Sequence, residues 1–233
     1  MKKYLTALVI IFILFSIDAN AARPMVTDDA RLTKAGSCQV ESWAKAYSGG
    51  NEFWALPACN PYGNFEMTLG VTASRYDSEP KTNDYIFQAK TLFKELETNG
   101  WSVGLALGAA QHDNQRYVGP NGFGSKYIYV PISHSFLDDK LITHVNLGYI
   151  HYKNTSKDSI TWGVGGEYKV KNNLLYVLET FGDHRVNPFI QMGLRYSVVP
   201  DIFQVDTTIG RQLDTNNSEW LSIGVRYTPD KFF

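Results

Sequence analysis

A strict alternation of apolar and polar residues recurs along most of this chain and constrains its fold more than any other feature. In the segment FEMTLGVTASRY, residues 65–76, the odd positions are Phe65, Met67, Leu69, Val71 and Ala73, and the even positions are mostly polar. A period of two is typical of an extended strand with two different faces. The apolar face must contact either a protein core or a lipid bilayer, and that choice determines the fold.

The same alternation predicts twelve strands, with no helical periodicity of note between them. Their expected bounds are 38–47, 51–59, 65–77, 82–96, 101–112, 126–137, 141–153, 159–171, 174–183, 187–198, 202–213 and 219–228. A run of hairpins of this kind predicts an all-β sandwich or barrel.

The lengths of the connections favour a membrane barrel. Short turns (NPYG, ETNG, DDK, KNN and VPD) alternate with mostly longer polar loops (SEPKTN, DNQRYVGPNGFGS, NTSKDS, DHRV and DTNNSE), with SGGN as the exception. Short turns at one end and longer loops at the other are typical of outer-membrane barrels.

Aromatic residues supply a second test. If the chain begins in the periplasm, nine of the ten strands from the third onward carry an aromatic residue at the periplasmic edge of the apolar face, with Leu141 as the exception: Phe65, Phe93, Trp101, Phe136, Tyr168, Tyr176, Tyr196, Phe203 and Tyr227. Such a girdle marks the membrane interface. The sequence therefore predicts an all-β, transmembrane antiparallel β-barrel of about twelve strands in a bacterial outer membrane, closed because no strand edge is left open in hydrocarbon.

The first 21 residues have the features of a signal peptide: Lys2 and Lys3, an apolar run and a small-residue cleavage site. We expect cleavage between Ala21 and Ala22, a periplasmic or plug segment over 22–37, and the barrel over 38–233. Without the signal peptide the chain has 20 basic and 22 acidic residues, a net charge of −2. This balance argues against nucleic acid as a partner; the expected partners are outer-membrane lipid, a small solute and the barrel-assembly machinery.

The alternating polar residues, which face away from the apolar side of each strand, are predicted to line the lumen. Both signs of charge occur, so no strong ionic selectivity is expected. The predicted lumen residues are Glu66, Gln88, Lys90, His144, Asn146, Glu167, Lys169, Glu179, Gln191, Arg195, Asp206 and Arg226.

No catalytic, metal or cofactor site is predicted. Ser133 and His134 are adjacent and so point to opposite faces of a strand. The five histidines are scattered without ligand spacing, and GVGGE at 163–167 lacks the Gly-Lys-Ser/Thr of a phosphate loop. We expect the protein not to be an enzyme; an outer-membrane lipid-modifying enzyme and a closed structural or binding barrel remain alternatives to a pore.

The polar segment RPMVTDDARL, 23–32, has two interpretations. It is either a periplasmic tail that leads into the first strand, or a plug that folds into the lumen and bonds to lumen charges through Arg23, Asp28, Asp29 and Arg31. The loop at 108–126 is the best candidate for a lid.

The two cysteines are predicted to form a disulfide across the first hairpin. If Ser48 and Gly49 form a two-residue turn, paired residue numbers sum to 97, which pairs Cys38 with Cys59. A turn at Gly49-Gly50 would instead pair Cys38 with Pro61. An exported chain favours the oxidised state.

Both ends of the chain resemble a known family. ARPMVTDDARLTKAGSCQVESW near the start, and the closing hairpins from YVLETFGDHRV to LSIGVRY, resemble the outer-membrane barrel family named after the meta-pathway of phenol degradation. The resemblance implies an outer-membrane barrel that passes small molecules, aromatic ones among them. Together with the polar lumen, it predicts passive passage of small solutes.

Overall fold

The protein folds into twelve β-strands, described by a computed structural model that covers residues 25–77, 80–112, 124–153, 156–213 and 219–229. The strands are β1 (Ser37–Tyr47), β2 (Gly50–Asn60), β3 (Glu66–Tyr76), β4 (Thr82–Lys94), β5 (Trp101–His112), β6 (Ser125–Phe136), β7 (Leu141–Tyr152), β8 (Lys157–Lys171), β9 (Leu174–Asp183), β10 (Phe189–Val199), β11 (Phe203–Gln212) and β12 (Trp220–Tyr227). Signal cleavage at Ala21 and Ala22, most of the predicted lid and the last four residues lie outside these ranges.

The strands close into one antiparallel barrel. Each strand pairs with its neighbours in sequence, and β1 closes the barrel against β12 in a register that runs from Val40 opposite Tyr227 to Tyr47 opposite Trp220. The predicted all-β barrel of twelve strands is therefore confirmed. In the described part of the chain, no helix has the length and apolar character to cross a membrane.

The two faces of the barrel are the reverse of those in a soluble protein. Leu69 and Leu147 are each 61% exposed and Ile223 is 66% exposed, all on the outer face, whereas inward-facing Arg195 is 1% exposed. Soluble proteins rarely bury charged residues while exposing large apolar ones in this way. A lipid-facing exterior with a polar lumen accounts for both observations.

Three strands end in irregular pairing at the end of the barrel that carries the short turns. The register shifts between Leu92 and Lys94, between Lys169 and Lys171, and between Ser197 and Val199. β4 accordingly ends at Lys94, before the predicted bound of 96. Bulges of this kind are common at barrel rims, where pairing ends.

The first hairpin has the predicted register and disulfide. Tyr47 pairs with Gly50 across the turn, and Cys38 lies opposite Cys59 with 4.0 Å between the Cα atoms. The disulfide is therefore confirmed. Next to it, the Ser37 hydroxyl donates a hydrogen bond to the Pro229 carbonyl at 2.7 Å, which ties the start of β1 to the residues after β12.

Candidate solute pathway and the N-terminal segment

Residues 25–33, here called the N-terminal segment, lie among the inward-facing side chains and bond to them mainly through the backbone. The N–H groups of Val26 and Thr27 donate to the two carboxylate oxygens of Glu179, each at 2.7 Å. The side-chain amide of Asn146 accepts from the N–H of Asp28 and donates to its carbonyl, both at 2.7 Å. These contacts replace the partners that a neighbouring strand would otherwise supply.

Further along, the N-terminal segment is held by other strands. The N–H of Ala30 donates to the Ser133 hydroxyl at 2.9 Å, and the N–H of Thr33 donates to Glu66 at 2.7 Å. The side-chain amide of Asn60 donates to the Thr33 carbonyl at 2.7 Å. Five backbone N–H groups of the N-terminal segment are thus bonded to barrel side chains.

The charged side chains of the N-terminal segment pair with charges on the barrel wall. Lys90 donates to both carboxylate oxygens of Asp28, at 3.0 and 2.9 Å, and the Tyr129 hydroxyl donates to the same carboxylate at 2.6 Å. Arg31 donates to Asp29 at 3.0 Å and to Glu167 at 3.3 Å. Such buried pairs are weak evidence for stability, because the cost of desolvating both charges offsets much of their attraction.

The carboxyl of Asp28 in the N-terminal segment has an altered acidity. Burial raises the pKa of its carboxyl above the usual range, and the ammonium of Lys90 acts in the opposite direction. A buried carboxyl resists ionisation because low dielectric disfavours its charged form. Docking of the segment and protonation of Asp28 are therefore linked.

Two glycines on β8 leave the space that the N-terminal segment occupies. A Cβ on Gly163 would lie 2.5 Å from the Thr27 hydroxyl, and one on Gly165 would lie 2.1 Å from the terminal methyl of Met25. Any side chain at these inward positions would push against the segment. GVGG is thus a docking surface, a role that the alternation pattern alone did not predict.

Two cavities share residues 31–33 as part of their lining. The first, about 320 Å³, is bounded by the inner walls of β1 to β4 and includes Trp43, Trp54 and Lys90. The second, about 770 Å³, is lined by the turn residues 62–64 and 95–98. Arg31, Leu32, Thr33 and Glu167 border both cavities.

The predicted lumen residues fall into three groups by their contacts. Those that contact the N-terminal segment directly are Glu66, Lys90, Asn146, Glu167 and Glu179. Those that support a contacting side chain are Gln191, which bonds to Glu179; Arg195, 3.2 Å from Glu167; and His144, which bonds to Ser133. The others lie elsewhere on the inner wall: Gln88 with Tyr127, Lys169 beside the second cavity, Asp206 against Gly224 and Arg226 beside the first cavity.

Among the residues it describes, the structure brings together two serine–histidine pairs that the sequence did not predict. In one, the Ser159 hydroxyl lies 3.3 Å from Nδ1 of His184. The other is Ser133 with His144, beside the N-terminal segment. Ser133 lies opposite His144 in the β6–β7 register, with its hydroxyl 2.8 Å from Nδ1, and Nε2 lies 3.9 Å from Glu167. Ser133 is fully buried, and its oxygen already accepts the Ala30 N–H. The pair therefore anchors the N-terminal segment. As predicted, Ser133 and His134 face opposite sides, and His134 stacks on Phe136.

No metal site is apparent in the described ranges, since no three His, Cys, Asp or Glu side chains there form a group able to hold an ion.

A closed barrel with an apolar exterior and a polar, partly filled lumen defines the class of this protein, which is a twelve-stranded outer-membrane β-barrel. Within that class, the chain belongs to the family described as "Uncharacterised conserved protein UCP029691", whose family model matches residues 10–228. No curated protein matches the chain in sequence.

Three solved structures that are similar in fold are two porins and an outer membrane channel. The NanC porin is 13% identical with a TM-score of 0.61 and covers 82% of this chain and 98% of its own. The KdgM porin is 13% identical with a TM-score of 0.59, over 81% and 98%. The COG4313 outer membrane channel from Pseudomonas putida F1 is 11% identical with a TM-score of 0.59, over 90% and 100%. These similarities confirm the predicted barrel; the relation to the phenol-degradation family stays a prediction.

Proposed function

We propose that this protein is a passive channel for small solutes, with a path that passes the N-terminal segment. The observation that supports this most directly is the pair of cavities that share the wall formed by residues 31–33 and Glu167. Their volumes of about 320 and 770 Å³ are within the usual range for sites that hold small molecules, about 300–1,000 Å³. Residues 31–33 thus form a constriction between two chambers.

The charges around the path suit solutes without a strong net charge. The first cavity is bordered by Asp28, Asp29, Glu41, Glu66 and Glu167 and also by Arg31, Lys45, Lys90 and Arg226. Mixed signs give little ionic selectivity. Trp43 and Trp54, stacked with 5.0 Å between ring centroids, add an apolar part of the wall, which supports aromatic solutes as a proposed subset.

Arg31 offers a direct test of the constriction. In planar bilayers, purified protein should give steady single-channel currents, and Arg31→Ala should raise the conductance because a side chain common to both cavities is shortened. Arg211→Ala is the matched control, since Arg211 is half exposed and ion-paired with Glu219 at 4.0 Å, away from the constriction. Liposome swelling with neutral solutes of graded size then gives the size limit.

The competing interpretations predict different results. A closed structural barrel would give no current and no swelling in either variant. An enzyme acting on membrane lipid would need a nucleophile that reaches lipid, but the Ser133–His144 pair faces the lumen beneath Ala30. Ester hydrolysis that disappears in Ser133→Ala, without channel currents, would contradict the proposal in favour of an enzyme.

A further inference from the structure

We infer that the inner wall formed by β7, β8 and β9, together with Lys90 of β4, is a binding site for short peptides. The N-terminal segment occupies this site as an internal ligand. The inference deepens the proposed channel function and rests on it, because a peptide from outside reaches the wall through the lumen.

The first argument is that the wall binds main-chain atoms. Glu179 accepts two consecutive N–H groups, and Asn146 both accepts from and donates to the backbone of the next residue. Any peptide without proline or N-methylation at these positions offers the same groups. The Val26 side chain, 48% exposed while its N–H is bonded, adds little to the recognition.

The second argument is that the wall has room for a backbone. Gly163 and Gly165 occupy inward positions on β8, and Thr27 and Met25 lie where their side chains would be. Glycine at two alternate inward positions lets a polypeptide lie close against a strand.

The third argument gives the site its one side-chain preference. Lys90 and Tyr129 both donate to the Asp28 carboxylate, immediately after the two residues held by Glu179. The wall therefore selects a peptide in which an acidic residue follows two free backbone N–H groups.

Competition with the tethered N-terminal segment sets the expected affinity. A covalently linked ligand acts at an effective concentration on the order of millimolar. External peptides must compete with it, so we expect weak binding to the natural chain and tighter binding once the segment is released. Asp28→Lys/Asp29→Lys should release it, since lysine at position 28 would face Lys90.

The experiment measures binding in detergent micelles by fluorescence anisotropy. The probe is a labelled nonapeptide, MVTDDARLT, copied from residues 25–33, and the protein is the full mature chain carrying Asp28→Lys/Asp29→Lys. Its folding is checked by heat-modifiable migration on gels. If this variant fails to fold, Thr27→Pro releases the segment instead, because it removes an N–H donor to Glu179 and leaves the wall unchanged. We expect saturable binding that weakens at least about tenfold when the backbone nitrogens of the second and third residues are methylated.

A second measurement addresses the peptide class. Acetyl-Val-Thr-Asp-amide should displace the probe, whereas a neutral disaccharide of similar size should not. Equal binding of the N-methylated probe, or failure of the tripeptide to displace it, would overturn the inference. Because micelle binding needs no conductance, silent bilayers with intact peptide binding would count only against the channel. Currents without peptide binding would count only against the inference.

Discussion

Gly163→Ala should loosen the N-terminal segment from inside the barrel. The three atoms nearest to the added Cβ all belong to Thr27, at 2.5 Å for Oγ1 and 3.3 Å for Cβ and Cγ2. Contacts below 3.0 Å do not persist, so the segment must shift. Overpacking of this kind costs about 1–3 kcal/mol, which corresponds to roughly a 5- to 150-fold decrease in the docking equilibrium.

The assay is labelling of Ala30→Cys by a small water-soluble maleimide. Ala30 is fully buried, so labelling requires release of the segment, and the oxidised Cys38–Cys59 pair does not react. Labelling should accelerate by the same 5- to 150-fold factor in Gly163→Ala. Adding Thr27→Ala should restore most of the slow rate, because it removes the 2.5 Å contact and leaves only the 3.3 Å one. An unchanged rate in Gly163→Ala, or equal acceleration with and without Thr27→Ala, would refute this reasoning.

Three further outcomes are expected. Leu147→Arg, on the outer face, should destabilise the barrel folded in lipid vesicles by about 2–4 kcal/mol. Tyr62→Arg, in an exposed turn, should not do so. Equal effects of the two substitutions would contradict the lipid-facing assignment. Reducing the Cys38–Cys59 bond should destabilise the barrel by about 3 kcal/mol, measured as a lower temperature of heat-modifiable migration, and Cys38→Ser/Cys59→Ser should be insensitive to reductant. The pKa of Asp28 is raised in the docked state, so its contribution to docking is present below the pKa of a free carboxyl, about 4, and is lost as pH rises through the docked value. Maleimide labelling of Ala30→Cys, corrected for thiol ionisation, should therefore increase with pH. The increase should be smaller when Asp28→Asn is added.

The fold was predictable because alternation is local and repeats in every strand. One turn position, Ser48-Gly49, was also enough to place Cys38 opposite Cys59. The Ser133–His144 pair was not predictable, because cross-strand pairing depends on the exact length of the turn. A three-residue DDK turn would pair Ser133 with Val145, but the turn has four residues, Leu137–Lys140, with Phe136 opposite Leu141. A difference of one residue moves the partner to the other face.

The candidate site was predictable only as a set of inward-facing residues. Which N–H each of them accepts depends on how deep the N-terminal segment enters, and Val26 and Glu179 are 153 residues apart. The alternation pattern shows which face of a strand a residue lies on. It does not show how far into the barrel the N-terminal segment extends. The tail and plug interpretations of 23–32 therefore stayed equally consistent with the strands. The charges of Asp28, Asp29 and Arg31 were the signal in favour of a plug, and the space at Gly163 and Gly165 was recognised only in the structure.

Docking of the N-terminal segment is best understood as a reversible equilibrium. Each hydrogen bond to the wall contributes about 0.5–1.5 kcal/mol net, or about 1.5–3 kcal/mol where one partner is charged. Ordering the backbone of each residue costs about 1–2 kcal/mol, so the opposing contributions are similar in size. On release, Glu179, Lys90 and Glu66 would face the lumen, where water replaces the lost partners. On the outer face no such exchange exists, because hydrocarbon offers no hydrogen bonds. The same polar wall that holds the segment would therefore also tolerate its release, as the proposed channel function requires.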